Sequence, residues 1–249
     1  MTTPQRCALT AHRILKSTMH KYKNIFIDLD DTIYDFAAAS RESFQEAYTL
    51  LGYHKHFRSF EHFMSLYEPY NLELWKRYGE GKITKEELNR KRYAYPLKMV
   101  GIDNQELADT FCREVLSRIP TKNRVIPGAI ELLDYLQPKY NLYILSNGFK
   151  ELQSHKMQTA GLHKYFKRII LSDDIGINKP RPELFIHALQ AAEASTDDSI
   201  MIGDMFDTDI AGAAGVGMDQ IFYNRKRLDT LPFAPTFTVT SLLQIKEIL

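Results

Sequence analysis

The sequence contains few cysteines and no long apolar run. Cys7 and Cys112 are the two cysteines among 249 residues, too few for a disulfide framework and without the CxxC spacing of zinc or dithiol sites. No apolar stretch approaches the roughly 18 residues that a membrane-spanning helix needs. The first residues also lack the apolar region of a secretory signal. We therefore expect a cytoplasmic protein that is not a membrane protein.

An excess of charge of one sign is also missing. The chain has 32 basic and 31 acidic residues, a formal net charge of +1, which removes the basic footprint typical of proteins that bind nucleic-acid polymers. Its 12 glycines are too few for a collagen-like chain, and 44% hydrophobic residues are too many for a disordered one. The length allows one large domain, or a core that carries a smaller one.

Short apolar runs, each ending at polar residues or glycine, recur along the chain. They are residues 25–27, 142–145, 169–171, 200–202 and 220–223. Helical patterns lie between them, at 127–136, 151–161 and 182–192. This alternation predicts an α/β fold with a doubly wound, Rossmann-like parallel sheet. Ligands bind such sheets at the carboxyl ends of the strands, so we expect a site at the polar residues that follow them.

Residues 36–103 interrupt this alternation and hold 13 of the 29 aromatic residues. Helical patterns cover roughly 37–51, 58–67, 71–79 and 84–99, with Gly52, Pro69 and 79–81 expected between helices. Because the strand series resumes afterwards, we predict an inserted all-helical cap domain over the crevice. The expected division is an N-terminal extension at 1–22, a catalytic core at 23–35 and 104–249, and a helical cap at 36–103.

Two carboxylates follow the first predicted strand. Asp28 and Asp30 lie two residues apart and suit a nucleophile and a general acid/base. An Asx-rich turn is an alternative interpretation. A calcium loop is not supported, because Ile33 and Ala39 stand where its glycine and glutamate are needed.

Three further clusters follow later strands. Ser146-Asn147-Gly148 combines a hydroxyl with backbone N–H groups that can hold a phosphoryl oxygen, although it is also a common turn. Lys179 could offset charge among carboxylates, although a single lysine is usually a solvated surface residue. Asp204, after a glycine, is suited to coordinate Mg²⁺.

In this order, the four clusters resemble the motifs of the haloacid dehalogenase superfamily of aspartate-nucleophile phosphohydrolases. Those motifs are DxDx[TV], a Ser or Thr, a Lys, and GDxxxxD. The residues that fill them are Asp28, Asp30, Thr32, Ser146, Lys179, Asp204 and Asp209. The second aspartate of the first motif distinguishes the phosphatases of the superfamily from its dehalogenases, so the resemblance implies phosphate ester chemistry.

The resemblance also implies a role for each residue. Asp28 would attack phosphorus to form an aspartyl-phosphate, and Asp30 would protonate the leaving alkoxide and later activate water. Mg²⁺ is expected between the carboxylates of Asp28 and Asp204 and the backbone carbonyl of Asp30.

The remaining motif residues would bind phosphate or support the metal site. Thr32, Ser146, Asn147 and Lys179 would contact the substrate phosphate. Asp209 would lie behind the metal ligands or orient Lys179.

Within the predicted cap, residues 71–75 and 78–84 resemble the LW…GxIT signature of the 5′-nucleotidase-like branch of the superfamily. This implies a phosphatase of nucleoside 5′-monophosphates, whose partner is a small phosphate monoester. Two alternatives stay open. One is a sugar-phosphate phosphatase or phosphomutase with the same chemistry, and the other is a non-catalytic protein that binds a phosphorylated ligand.

Overall fold

The computed structural model describes residues 21–249. The predicted N-terminal extension lies outside these residues except for its last two, and so does Cys7. The contacts divide the described chain into two units. A sheet unit comprises residues 21–35, 125–150 and 161–249, and a helical unit comprises residues 36–124 and 151–160.

The sheet unit contains six parallel strands in the order β3-β2-β1-β4-β5-β6. The strands are β1 Asn24–Ile27, β2 Asn141–Ser146, β3 Arg168–Leu171, β4 Ser199–Gly203, β5 Asp219–Tyr223 and β6 Phe237–Val239. The α-helices of both units are α1 Phe36–Leu50, α2 Phe60–Gly79, α3 Lys85–Met99, α4 Gln105–Arg118, α5 Ala129–Leu136, α6 Lys150–Thr159, α7 Pro182–Ala192 and α8 Ala211–Gly215. This architecture confirms the predicted α/β fold class. The three-residue strand β6 was not predicted.

The register of the sheet aligns the strand ends that carry the motifs. Ile27 in β1 pairs with Ile144 in β2 and with Ile202 in β4. Because the three strands are parallel, the residues that follow them emerge at the same edge. Asp28 and Asp204 therefore lie at neighbouring positions of this edge.

The helical unit is built around an aromatic core. Its buried rings are Phe44, Tyr48, Tyr53, Phe57, Phe60, Phe63, Tyr67, Tyr93 and Phe111. Phe111 of α4 lies 4.5 Å from Tyr53 and 5.1 Å from Phe63 between ring centroids. This packing joins α4 to the helical unit. The unit thus extends by its contacts to residue 124, beyond the expected end at 103, and also includes 151–160.

Pro69 does not separate two helices, contrary to the prediction. Helix α2 runs without interruption from Phe60 to Gly79. Phe63, Tyr67 and Leu74, on both sides of the proline, are all buried. A proline inside a helix loses one backbone hydrogen bond and costs about 3 kcal/mol. Burial of several large side chains at about 1.5 to 3 kcal/mol each outweighs that cost.

Within residues 21–249, no helix combines the length and the apolar character that crossing a membrane requires.

Candidate active site

Asp28 lies at the carboxyl end of β1 and is 6% exposed. Its N–H donates to the carbonyl of Ile202 at 2.9 Å, which continues the ladder between β1 and β4 for one residue beyond the strand. Its Oδ1 accepts from Lys179 Nζ at 2.6 Å. The predicted nucleophile and the predicted lysine are therefore in direct contact.

Lys179 is buried and uses its three ammonium donors within the site. Besides Asp28, its Nζ contacts Asp209 Oδ1 at 2.7 Å and donates to the carbonyl of Leu145 at 2.8 Å. Burial alone would lower the pKa of Lys179, but the carboxylates of Asp209 and Asp28 raise it above its ordinary value. The ammonium is therefore a fixed positive charge at neutral pH.

The second motif holds the lysine in place through Asn147. The Asn147 side chain accepts from the Lys179 N–H at 2.8 Å and donates to the Lys179 carbonyl at 3.0 Å. Ser146 is buried, and its Oγ accepts from the N–H of Gly148 at 3.1 Å. The Asn147 side chain thus binds the backbone of the lysine loop, a contact that the sequence did not predict. Its part in phosphate binding stays a prediction.

Thr32 connects the first and fourth motifs. Its Oγ1 accepts from the N–H of Asp204 at 3.1 Å and lies 3.4 Å from both Asp28 Oδ2 and Asp204 Oδ1. Thr32 is fully buried. The hydroxyl therefore fixes the spacing of two carboxylates that come from different strands.

Asp209 approaches the backbone of β4 closely. Its Oδ2 accepts from the N–H of Met205 at 3.1 Å, and it lies in a π-helical turn at Phe206–Ile210. A Cβ atom at Gly203 would lie 2.3 Å from Asp209 Oδ2. The fourth motif therefore requires glycine at position 203 for steric reasons.

Burial and mutual repulsion disfavour the ionised carboxylates of the site. Burial raises the pKa of Asp28 well above its ordinary range; Lys179 opposes the rise, and Asp209, Asp204 and Asp30 add to it. Burial, followed by Asp209 and Asp31, raises the pKa of Asp204 to about 7. The site therefore holds more negative charge than Lys179 can offset.

This charge and the types of donor atom fit a divalent cation. Carboxylate oxygens of Asp28, Asp204 and Asp209 lie within 4.8 Å of one another, and all three residues are buried. Asp209 already contacts Lys179 and the N–H of Met205. Asp28 and Asp204 are therefore the carboxylates best suited to bind Mg²⁺, which prefers oxygen ligands. The contribution of the Asp30 carbonyl stays a prediction.

The loop after β1 is supported by Arg225, a residue that the sequence patterns did not single out. Asp31 has a left-handed backbone, with φ at 61°. Arg225 Nη1 donates to the Asp31 carbonyl at 3.0 Å and to Asp31 Oδ1 at 3.1 Å. Arg225 lies two residues after β5, so its place at a strand end is the signal that could have identified it.

The comparison with known families agrees with this geometry. Residues 22–217 match the model of the haloacid dehalogenase-like hydrolases. The chain belongs to this family of hydrolases. The match includes every motif residue, and it confirms the resemblance inferred from the sequence.

Similar proteins cover almost the whole chain. This chain is 30% identical to the pyrimidine 5′-nucleotidase YjjG of Escherichia coli, over 92% of this chain and 98% of that protein. This chain is also 31% identical to the pyrimidine 5′-nucleotidase PynA of Streptococcus pneumoniae, over 92% of this chain and 95% of that protein. The magnesium-bound crystal structure of the HAD-hydrolase YfnB from Bacillus subtilis superposes with a TM-score of 0.81 at 28% identity, over 92% and 98%.

Proposed function

We propose that this hydrolase removes phosphate from small phosphate monoesters through an aspartyl-phosphate on Asp28, and that its substrates are nucleoside 5′-monophosphates. The observation that carries the chemistry is the buried contact between Asp28 and Lys179 beside Asp204. This contact would join an oxygen nucleophile to a fixed cation, beside a group of carboxylate oxygens that suits a metal ion. Phosphoryl transfer depends mainly on such positioning and neutralisation of charge.

In the first step, a carboxylate oxygen of Asp28 forms a bond to phosphorus as the bond between phosphorus and the ester oxygen breaks. Asp30 donates its proton to the leaving oxygen, which departs as an alcohol. Lys179 moves part of its hydrogen bonding from Asp28 to the phosphoryl oxygens, with Ser146 as a second donor. Mg²⁺ bound by Asp28 and Asp204 would supply charge neutralisation on the phosphoryl group.

In the second step, the carboxylate of Asp30 accepts a proton from a water molecule, whose oxygen attacks the phosphorus of the aspartyl-phosphate. The bond between phosphorus and the Asp28 oxygen breaks, and inorganic phosphate leaves. Asp30 is then protonated and Asp28 ionised, as at the start. General acid/base catalysis of this kind contributes typically about 10² to 10⁴ in rate.

The substrate class is supported by the relatives. Two of them are named pyrimidine 5′-nucleotidases, and each aligns with almost the whole chain. The test is the release of phosphate from UMP, dUMP, dTMP, purine monophosphates and sugar phosphates, with Mg²⁺ and with EDTA. We expect the highest kcat/KM for a nucleoside monophosphate and no turnover in EDTA. A sugar phosphate preferred tenfold would overturn the substrate assignment.

The covalent mechanism is tested by Asp28→Asn. The amide is isosteric but a poor nucleophile, so we expect turnover to disappear while the circular dichroism spectrum stays unchanged. Asp207→Asn is the matched control, because Asp207 is exposed on the turn after β4 and should leave kcat unaltered. Turnover by Asp28→Asn at the wild-type rate would disprove the mechanism. Incubation with β-glucose 1-phosphate distinguishes a phosphomutase, which would yield glucose 6-phosphate instead of free phosphate.

A further inference from the structure

The backbone after Asp30 adopts a conformation that needs support. Asp31 has φ at 61°, in the left-handed region that L-residues rarely occupy, although Asp tolerates it better than most. The Asp31 N–H donates to the carbonyl of Tyr34 at 2.7 Å, and the Tyr34 N–H donates back to the carbonyl of Leu29 at 2.9 Å. The peptide that joins Asp30 to Asp31 is therefore held on its N–H side within a tight loop.

Arg225 holds the other side of Asp31. One nitrogen, Nη1, is shared between the carbonyl of Asp31 at 3.0 Å and its Oδ1 at 3.1 Å. The other terminal nitrogen lies 3.9 Å from Asp35 Oδ1. The guanidinium thus contacts the backbone and the side chain of the same left-handed residue, and rotation of that backbone would break both contacts.

The turn that carries Arg225 is itself fixed. The Asn224 N–H donates to the carbonyl of Val239 in β6 at 2.8 Å. Its side chain accepts from the Leu228 N–H at 2.8 Å and donates to the Leu228 carbonyl at 3.0 Å. Asn224 is buried. The guanidinium therefore starts from a rigid turn at the end of β5.

We propose that Arg225 is a positioning residue that holds Asp31 in its left-handed conformation and thereby aims both the carboxyl group and the backbone carbonyl of Asp30. This inference rests on the proposed function, in which Asp30 is the acid/base, and on the prediction that the Asp30 carbonyl would be a ligand of Mg²⁺. Arg225 acts through Asp31 and not on the substrate. Residues that orient metal ligands in this way typically affect metal affinity or activity about 10- to 100-fold.

A competing explanation is a simple charge effect. Arg225 and its neighbour Lys226 both lower the pKa of Asp204, and Lys226 does so more strongly. Lys226 is exposed, and the hydrogen bonds to Asp31 come from the guanidinium of Arg225. Lys226→Ala therefore removes an electrostatic effect on Asp204 at least as large as that of Arg225. It leaves the hydrogen bonds between Arg225 and Asp31 intact.

The test compares Arg225→Ala, Arg225→Lys and Lys226→Ala, with p-nitrophenyl phosphate as a generic monoester and with calorimetric titration of Mg²⁺ into the substrate-free protein. For Arg225→Ala we expect kcat to fall about 10- to 100-fold with KM little changed, and Mg²⁺ binding to weaken in the same range. Arg225→Lys should recover part of both losses, and Lys226→Ala should resemble the wild type. An equal loss in Lys226→Ala would overturn the proposal in favour of a charge effect.

A double-mutant cycle makes the positional role falsifiable. Glycine adopts positive φ without a steric penalty, so residue 31 of the Asp31→Gly variant should not depend on Arg225 to keep this conformation. We expect Arg225→Ala to cost much less in the Asp31→Gly background than in the wild type. An undiminished loss would overturn the proposal. If Arg225→Ala does not fold, Arg225→Lys in the two backgrounds gives the same comparison. Absence of turnover in the wild type would contradict the proposed function. The Mg²⁺ affinities of the variants would still test the positioning role of Arg225.

Discussion

Lys179 shows how one buried side chain organises the site. Its three donors are directed to Asp28, to Asp209 and to the carbonyl of Leu145, so its position is defined from three directions. In the proposed mechanism, a phosphoryl group that binds Lys179 would therefore replace an existing contact of an ammonium that is already held in place. Such preorganisation lowers the cost of reorganisation when charge develops.

The close approach of Asp209 to β4 leads to a prediction for Gly203→Ala. The added methyl group would lie 2.3 Å from Asp209 Oδ2 and 2.5 Å from its Cβ, so Asp209 must move away from Lys179. We expect the free energy of unfolding to fall by about 1 to 3 kcal/mol, the usual cost of overpacking, and kcat to fall with it. Urea denaturation and phosphate release measure the two effects.

Gly215→Ala is the matched control for this change. Gly215 ends α8 and lacks a positive φ, and a methyl group added there would meet no atom within 4 Å. Its substitution should leave kcat unchanged and should stabilise the protein slightly, if at all. Equal losses in the two variants would show that the contact with Asp209 is not the cause.

Thr84 shows that a family signature can have a local structural explanation. It precedes α3, its Oγ1 accepts from the Glu87 N–H at 3.2 Å, and Glu87 Oε2 accepts from the Thr84 N–H at 3.0 Å. This reciprocal pair is a capping box. The threonine of the predicted GxIT signature therefore begins a helix of the helical unit.

We expect Thr84→Ala to lower the free energy of unfolding by about 0.5 to 2 kcal/mol, because the cap at the start of α3 is lost. Thr84→Ser retains the hydroxyl and should restore most of that stability. Thermal melts followed by circular dichroism measure both variants. A normal melt for Thr84→Ala, or a failure of serine to restore stability, would contradict a capping role.

The elements of the fold that local pattern determines were predictable. The buried runs of β1, β2 and β4 are visible in the sequence because a strand that is covered on both faces of a parallel sheet is a continuous apolar stretch, and polar residues mark its end. The contacts of Asn147 with the lysine loop and of Arg225 with Asp31 were not predictable, since each joins residues far apart in the chain.

The same limit explains the wrong prediction at Pro69 in the helical unit. Pro69 is a strong local signal for a helix end, yet Phe63, which precedes it in the same helix, packs on Phe111 of α4, more than 30 residues away in the chain. Tertiary packing therefore outweighs local propensity at this position. The assignment of the helical unit as a cap stays a prediction.

At the scale of the whole molecule, a net charge of +1 conceals a local excess of acid. In the metal-free protein Asp204 has a pKa of about 7, above its ordinary 3.8, and the pKa of Asp28 shifts in the same direction. The folded state therefore binds more protons than the unfolded state between about pH 4 and 7. The stability that protonation provides is present at the acidic end of this window and is lost as the pH rises through 7.

The sign of this effect yields a prediction for metal-dependent stability. Metal-free protein should melt at a lower temperature at pH 8 than at pH 6, because Asp204 is then an ionised, buried carboxylate. In the proposed metal site Mg²⁺ would bind that ionised form, so its stabilising effect should be larger at pH 8. At 100 times its dissociation constant it adds about 2.7 kcal/mol, which raises Tm by roughly 5 to 10 °C.

Two variants separate the contribution of Asp204 from that of other acids. In Asp204→Asn, we expect Mg²⁺ to raise the melting temperature much less than in the wild type, and the melting temperature to depend less on pH. Asp207→Asn should retain both effects. Asp198 and Asp219 do not interfere, since their pKa values are lowered and the stability they provide is lost only at more acidic pH. If Mg²⁺ raised the melting temperature of Asp204→Asn as much as that of the wild type, the ion would bind to other ligands.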